Sequence, residues 1–318
     1  MLLSLGSVTR QLNLYLSSIN TSNLLPIPPQ SSINVGRGFG VNSLQKNGIL
    51  NDGNNCCLSG LILCLHRINL KEYFPDPNLL AQTREFATLM LLRVLQALPS
   101  RQAFSVQMFI HVWNLGNTVY KIGQYEDISS LSEGVLNHIP LHCPGPAPVI
   151  TEFHAMYTCH SCGHSADNVS NWLAKQFTSV PIITLEDSNI PVMIGQKLTS
   201  MLHLAVPINC ANCSRNTFGR YKVNRGKFTI IRFNRYVTHS TVSRTRLSTG
   251  RSPAVGEQYL GQLVSCVSHT PGHYFSYHLV NGQWWKNNDD RAVQQVNFHP
   301  FNSPDPNESV NFVVFCNS

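Results

Sequence analysis

The sequence predicts an α+β fold, because helical patterns dominate its first half and strand patterns its second half. After position 56 the apolar residues recur at the spacing of one helix face, at Leu58, Leu61, Ile62 and Leu65. Beyond about residue 150, short apolar runs bounded by turn residues replace that period. Helices first and strands later is the order typical of an α+β domain.

The helical half contains three predicted stretches, and the strand half contains four clear runs. The helices begin after Cys56 and cover roughly 79–97 and roughly 104–114, until prolines from Pro140 onward break the pattern. The runs predicted as strands are 227–233, 263–267, 274–280 and 311–315. Asn281-Gly282 joins the third of these to a returning strand, since this dipeptide is a strong signal for a two-residue hairpin turn.

The sequence predicts a tail followed by one large domain. Residues 1–45 are rich in Ser, Asn, Gly and Pro, which predicts a polar, weakly ordered tail. Residues 46–318 are long enough to bury a substantial core without disulfides. We expect a monomer.

The charge of the chain bears on which partners it can bind. The formal net charge is +7. Seven basic residues cluster within one short stretch: Arg215, Arg220, Lys222, Arg225, Lys227, Arg232 and Arg235. A solvated face is the favoured interpretation, and a substrate-facing surface or a nucleic-acid patch are the alternatives, so nucleic acid is not the expected partner.

No apolar run reaches the ~20 residues of a membrane span, and the N-terminus lacks a secretory signal pattern. We therefore expect no membrane association. Paired cysteines in a chain of this length are typical of a reducing compartment. The expected location is intracellular, in the cytoplasm or the nucleus.

Two CxxC pairs form the strongest metal signal in the chain. They are Cys159-x-x-Cys162 and Cys210-x-x-Cys213. Each pair can place two thiolates at ~2.3 Å from one zinc ion, and two pairs complete a tetrahedron. Four thiolates leave no open coordination position, so the predicted zinc is structural. His160 and His164 are competing ligands that the four thiols make unnecessary.

Cys56 is the candidate nucleophile. A turn-forming run from Gly48 to Asn55 ends at this residue, and helical periodicity begins directly after it. The N–H groups and dipole of a helix N-terminus favour a thiolate, which is the attacking species in cysteine hydrolases. Asn51, five residues upstream, can aim its amide at a developing oxyanion.

His273 is the candidate base, and the predicted hairpin supplies its acid. With a two-residue loop at Asn281-Gly282, His273 lies opposite Asp290, and Tyr274 lies opposite Asp289. Either carboxylate can fix the histidine tautomer and stabilise the imidazolium. Strand alternation favours Asp290, while a bulge would exchange the two acids. The order Cys, His, Asp along the chain is that of papain-type proteases.

Together these segments resemble the ubiquitin-specific protease family over roughly residues 46–318. The family's cysteine box is matched by residues 48–60, and its histidine box by Gly272-His273-Tyr274 with Trp285 and Asp289-Asp290. The paired cysteines resemble its zinc ribbon, and residues 231–235 resemble its "Leu-Lys-Arg-Phe" strand. Residues 126–131 resemble a diverged form of its "Gln-Asp-Ala-x-Glu-Phe-Leu" helix.

The resemblance implies a papain-like fold with a thumb (about 46–140), zinc-ribbon fingers (about 150–225) and a palm (about 226–318). It implies a thiol-dependent deubiquitinase acting on ubiquitin or ubiquitinated proteins, with Cys56 as nucleophile and Asn51 in the oxyanion hole. It places the triad acid at Asp289, which we prefer to Asp290. It makes Asp127 the clamp for ubiquitin's C-terminal tail, with Tyr274 also on the substrate side.

Four positions depart from the family pattern: Cys57, Ser59, Gly60 and Ser130. None removes a triad residue, but several lie where ubiquitin would be held. The alternatives are therefore an isopeptidase for SUMO or another ubiquitin-like modifier, and a module that binds ubiquitin without cleaving it. A zinc-ribbon nucleic-acid binder that uses the basic cluster is a further alternative.

Overall fold

The computed structural model describes residues 49–51, 55–83, 85–98, 105–116, 122–123, 127–139, 141–142, 147–167, 180–203, 205–236, 242–250, 255–289, 291 and 293–317. The predicted tail of residues 1–45 and the candidate acid Asp290 lie outside these ranges. The described residues form a mixed α/β structure with helices in the first half and sheets in the second.

Six α-helices are present in the described ranges. They are α1 (Cys56–Arg67), α2 (Pro77–Gln82), α3 (Phe86–Ala97), α4 (Gln107–Gly116), α5 (Ile128–His138) and α6 (Ile194–Leu202). The single helix predicted over roughly 79–97 is two helices. Asp76 caps α2 by accepting a hydrogen bond from the Asn78 N–H, and α2 ends at Gln82 before α3 begins. Helix α6 interrupts the half that the sequence predicts as strands.

The strands form three sheets. They are β1 (Glu152–Thr158), β2 (Ser165–Asp167), β3 (Ile182–Thr184), β4 (Val192–Met193), β5 (Val206–Asn209), β6 (Asn216–Asn224), β7 (Phe228–Asn234), β8 (Leu247–Ser248), β9 (Gln262–Thr270), β10 (His273–Val280), β11 (Gln283–Asn287), β12 (Gln294–Val296) and β13 (Ser309–Cys316). A seven-stranded sheet has the order β12-β11-β10-β9-β13-β7-β3. A four-stranded antiparallel sheet has the order β2-β1-β6-β5, and β4 pairs with β8. All four strand runs predicted from the sequence are confirmed as β7, β9, β10 and β13.

Helix α1 is buried along nearly its whole length. Its apolar spacing predicts one buried face, yet every residue from Cys56 to His66 is buried. The helix packs against β9 and β10 of the large sheet and against α5 and α3. At Gly60 an added Cβ would lie 3.0 Å from Val267 of β9, so the close approach of helix and sheet requires a very small residue there.

The basic cluster seen in the sequence divides into a surface part and a buried part. Arg215, Arg220, Lys222 and Arg225 are exposed, whereas Arg232 and Arg235 are buried. Arg235 donates hydrogen bonds to the carbonyls of Val310, Ser243 and Thr245. The prediction of one solvated face is therefore wrong for the two arginines on or beside β7, which are structural.

Arg232 connects the large sheet to α5. Its guanidinium donates to the Ser129 carbonyl, to the Glu133 carboxylate at 3.1 Å and to the Val180 carbonyl at 3.2 Å. A buried charge of this kind is tolerated because several acceptors satisfy it. The contacts position the first turn of α5 relative to β7.

No helix in the described ranges is long and apolar enough to cross a membrane.

Replacing Arg232 with Ala should lower the free energy of unfolding by about 3 kcal/mol or more, because the buried guanidinium's hydrogen bonds to Glu133, Ser129 and Val180 are lost. The measurement is chemical denaturation followed by fluorescence. Arg246→Ala, at an exposed position, is the control and should stay within about 0.5 kcal/mol of the wild type. Equal stability of the two variants would contradict a structural role for Arg232.

Candidate functional site

The segment before α1 is held by the side chains of two asparagines. Cys56 is the first residue of α1, which confirms the predicted start of the helix. The backbone N–H of Asn55 donates to Asn51 Oδ1 at 3.1 Å, and Asn55 Nδ2 donates to the Leu50 carbonyl at 3.0 Å. The loop that carries the candidate nucleophile is thus closed on itself by local hydrogen bonds.

His273 begins β10, directly after a tight turn. Gly272 has φ +81°, a backbone conformation that glycine adopts without strain, and His273 pairs with Thr270 of β9. The imidazole is therefore held at the end of the large sheet, where its side chain is 31% exposed.

The predicted hairpin at the other end of β10 is confirmed, together with its register. Val280 pairs with Gln283, and pairing continues to Ser276 with Asn287. Asn281 and Gly282 both have positive φ, as a type I′ turn requires. Pairing stops at Asn287, and Asp289 adopts φ +52°, so the chain leaves the strand before it reaches the level of His273.

Two side chains from this departing segment lie beside His273. Nε2 of His273 is 2.5 Å from Asn288 Oδ1 and 3.6 Å from Asp289 Oδ2. The amide of Asn288 is therefore the closer partner, and the carboxylate of Asp289 lies just beyond hydrogen-bonding distance. The hydrogen-bonded Nε2 leaves Nδ1 as the second functional nitrogen of the ring.

Asp289 also contacts the loop of Cys56. Its Oδ2 accepts a hydrogen bond of 3.0 Å from Nδ2 of Asn51. The buried carboxylate thus connects the cysteine loop to the histidine hairpin across 238 residues of sequence. Cys56, His273, Asp289 and Asn51 are four of the sequence-predicted site residues, and this contact brings their segments together.

A second histidine on β10 is structural. His278 is fully buried, with Ser265 Oγ 2.8 Å from Nδ1 and Ser276 Oγ 2.8 Å from Nε2. Burial, followed by the charges of Arg67 and His66, lowers the pKa of His278 to about 3, so it remains neutral. Both of its nitrogens are engaged, so of these two histidines the partly exposed His273 is the one open to a substrate.

The predicted clamp Asp127 lies at the N-terminus of α5. It caps the helix, since its carboxylate accepts from the Ser130 N–H at 3.2 Å and lies 3.4 Å from the Ser130 hydroxyl. The hydroxyl of Tyr274 forms a hydrogen bond with the backbone of Ile128, the next residue. Burial first, then the charges of Cys57 and Asp127, raises the pKa of Tyr274.

Tyr236, which follows β7 and is 47% exposed, belongs to the same neighbourhood. The pKa of its hydroxyl is raised, mainly because the group is partly buried and secondly because of the electrostatic effects of Asp127 and Cys57. Asp127 and Cys57 thus raise the pKa of both Tyr274 and Tyr236.

Asn288 and Tyr236 were absent from the residues predicted by sequence. The hairpin register could have indicated Asn288, because continued pairing would place it opposite Phe275, which shares a strand face with His273. Tyr236 carries no signal that distinguishes it from other aromatic residues near strand ends. Asp290 lies outside the described residues.

The two CxxC pairs lie at one end of the four-stranded sheet. The first is between β1 and β2, and the second is between β5 and β6. All four sulfur atoms lie within 4.8 Å of one another. Cys159 and Cys213 have their sulfurs 3.6 Å apart, as do Cys162 and Cys210.

This geometry fits a tetrahedral zinc site. A Zn–S distance of ~2.3 Å corresponds to S–S separations of ~3.8 Å, close to the two distances observed. The two loops are built alike: the Gly163 N–H donates to the Cys159 carbonyl and the Ser214 N–H to the Cys210 carbonyl, both at 2.8 Å. Gly163 and Ser214 both have positive φ.

Backbone N–H groups favour thiolates in these loops. Backbone hydrogen bonds lower the pKa of Cys159, and the bond from Ser161 has the largest effect. Burial opposes ionisation of Cys210, but backbone hydrogen bonds from Cys213 and Asn212 bring its pKa down to about 6. His160 and His164 are not part of the four-sulfur cluster, so four thiolates are the ligand set that the geometry supports.

Comparisons with known proteins give a structural likeness but no match by sequence. No protein-family model matches the chain. No curated protein matches it either. Among solved structures, a SAGA DUB module of Ubp8, Sgf11, Sus1 and Sgf73 bound to monoubiquitin matches with a TM-score of 0.49 and 14% identity, over 98% of this chain and 75% of the matched chain. A likeness of this extent leaves the function to be inferred from the site.

We expect the purified chain to carry about one zinc ion at the four-cysteine site, measured by elemental analysis. Cys210→Ser should remove most of it and lower the melting temperature, because metal binding contributes directly to folding. Cys316→Ser, outside the cluster, is the matched control and should retain the metal. A metal-free wild-type chain, with the same melting temperature after chelation, would contradict the site.

Proposed function

We propose that this chain is a thiol isopeptidase of the deubiquitinase type, which hydrolyses the bond after the C-terminal Gly of ubiquitin. The observation that carries the proposal is the bridge through Asp289, which joins Asn51 in the cysteine loop to His273. A cysteine at a helix N-terminus, in a segment joined in this way to a partly exposed histidine with a polar orienting group, suits a thiol hydrolase.

Cys56 is the proposed nucleophile. Its sulfur attacks the carbonyl carbon of the terminal Gly, and the amine of the substrate's lysine leaves after accepting a proton from His273. The resulting thioester is hydrolysed by water, which His273 deprotonates. The start of α1 supports this role, because free N–H groups at a helix N-terminus stabilise a thiolate.

Asn288 is proposed to orient the imidazole. Its Oδ1 accepts from Nε2–H and so fixes the tautomer that leaves Nδ1 for the thiol, as the asparagine does in papain-like Cys-His-Asn proteases. Asp289, predicted as the triad acid, then acts at longer range by stabilising the imidazolium and holding Asn51. We propose Asp290 as an alternative acid only if Asp289 proves dispensable.

Asn51 is proposed to complete the oxyanion hole. One Nδ2–H donates to Asp289, and an amide has a second hydrogen to offer. Asn51 is itself exposed, so a substrate carbonyl can approach it. Fixing the amide in advance by Asp289 and by the Asn55 N–H favours the transition state, because no reorganisation is needed during the reaction.

The fold that we propose for residues 46–318 is papain-like, with a thumb of about 46–140, fingers of about 150–225 and a palm of about 226–318. Asp127 and Tyr274 would contact the C-terminal tail of ubiquitin beside the start of α1. The proposed structural zinc would hold the tips of the fingers through Cys159, Cys162, Cys210 and Cys213.

A second candidate substrate is SUMO or another ubiquitin-like modifier. The feature that favours it is the altered clamp helix, in which Ser130 stands where the resembled family has Glu. This departure lies where the C-terminal tail of ubiquitin would be held. The reaction would be the same, so the modifier alone distinguishes the two candidates.

A gel-shift assay with ubiquitin and SUMO probes carrying C-terminal electrophiles tests the nucleophile. The wild type should form a covalent adduct with the ubiquitin probe, and Cys56→Ala should form none. Cys57→Ser is the matched control and should still react. Reaction of Cys56→Ala, or loss of reaction only in Cys57→Ser, would refute the assignment.

The same assay distinguishes the candidate substrates. A preference for the SUMO probe would establish the second candidate. Binding of ubiquitin without any adduct would indicate a non-catalytic module.

Asn288→Ala should lower kcat about a hundredfold with little change in KM, because it disturbs the base and not the substrate contacts. Asp289→Ala should lower kcat further, since it releases both Asn51 and His273. Steady-state kinetics on a fluorogenic ubiquitin substrate measure both effects. If Asn288→Ala retains full kcat while Asp289→Ala is inactive, the carboxylate and not the amide orients His273.

A further inference from the structure

The four-stranded sheet has an exposed face whose chemistry the proposed reaction does not use. On β6 the exposed positions alternate with buried ones, and Phe218, Arg220 and Lys222 all belong to the exposed set. Alternate residues of a strand share one face of its sheet. We call the surface formed by these three residues and their cross-strand neighbours the basic face.

The opposite face of the same sheet is the one that packs. Thr217 and Gly219 of β6 are buried, as are Phe153 and Tyr157 of β1. Phe153 belongs to the core cluster that also includes Ile231 and Phe233 of β7. The sheet therefore has one face committed to the core and one face open to solvent.

The strand register arranges the basic face in rows. Phe218 lies opposite Pro207 of β5, while Arg220 and Lys222 lie opposite Met156 and His154 of β1. Glu152 is a carboxylate at the far end from Phe218, where it is 2.9 Å from His154 Nε2. Arg220 and Lys222 thus lie between that end and an aromatic ring that is 51% exposed, and the row of Arg220 and Met156 continues to Asp167 of β2.

Phe218 is an exposed aromatic residue on a central strand, and two cations follow it two and four residues later. This arrangement suits a single-stranded nucleic acid. A base can stack on an aromatic ring while cations along the strand contact successive phosphates. Arg220 and Lys222 follow Phe218 at intervals of about 7 Å along β6. Polar groups of Thr158 and Asn216, exposed near Phe218, are available to a ribose 2′-hydroxyl.

We propose that the basic face binds single-stranded RNA. The alternative occupant is an acidic protein segment, which would use the cations but would have no need of the aromatic ring. A double helix fits less well, because the open face of a sheet has no element that projects into a groove.

The test is fluorescence anisotropy of the full chain with a labelled oligouridylate, titrated over a range of salt concentrations. Phe218→Ala should weaken binding about tenfold through lost stacking. The double variant Arg220→Gln with Lys222→Gln should reduce the slope of log Kd against log salt by about 1.4, because two phosphate contacts are lost. The control double variant, Arg244→Gln with Arg246→Gln, removes two exposed cations elsewhere and should leave both quantities unchanged.

Several outcomes would overturn the proposal. Equal affinity of wild type and Phe218→Ala would show that no base stacks there, and an equal loss in the control would indicate nonspecific charge. Displacement by polyglutamate at the same charge concentration would assign the face to an acidic protein. Equally tight binding of the matching oligodeoxynucleotide would refute the choice of RNA. Unchanged zinc content and melting temperature in each variant show that the fold is intact.

Discussion

The carboxylate of Asp289 is the contact on which the candidate site depends. It joins Asn51 to the segment that carries His273, two parts of the chain that are 238 residues apart. Asp289 reaches this place by adopting φ +52°, an uncommon conformation for a residue with a side chain. Asp is one of the few residues with a side chain that adopt this conformation readily, and the hydrogen bond from Asn51 Nδ2 holds its carboxylate in place.

The remaining structure holds the two partners of this contact in place. Burial on all sides fixes α1, and the lack of a side chain at Gly60 allows it to approach Val267 of β9 closely. Tyr274 links β10 to the first residue of α5, and Arg232 ties the same helix to β7. The large sheet thus serves as the rigid base from which the histidine, the proposed clamp and the cysteine helix are positioned.

The four-stranded sheet is a second structural unit with its own organising contact. The four cysteines join two loops that lie far apart in sequence, and an Ala211 N–H donates to the hydroxyl of Tyr157 between them. Both loops lie at one end of the sheet, and the alternation along β6 gives it a packed face and an exposed face. The proposed reaction and the proposed RNA surface therefore use separate sheets.

Local pattern was sufficient to predict the start of α1 at Cys56, the turn at Asn281-Gly282 and its register, five strands of the large sheet (β7, β9, β10, β11 and β13) and the two CxxC pairs that form the cysteine cluster. These features depend on neighbouring residues or on a period within one element, and both are visible in the sequence. The partner of His273 is different. Strand period assigns a face only while pairing lasts, and pairing ends at Asn287. Beyond that residue, the tertiary structure alone decided that Asn288 approaches the imidazole and that Asp289 bridges to Asn51, because contacts with residues distant in sequence replace the strand ladder there.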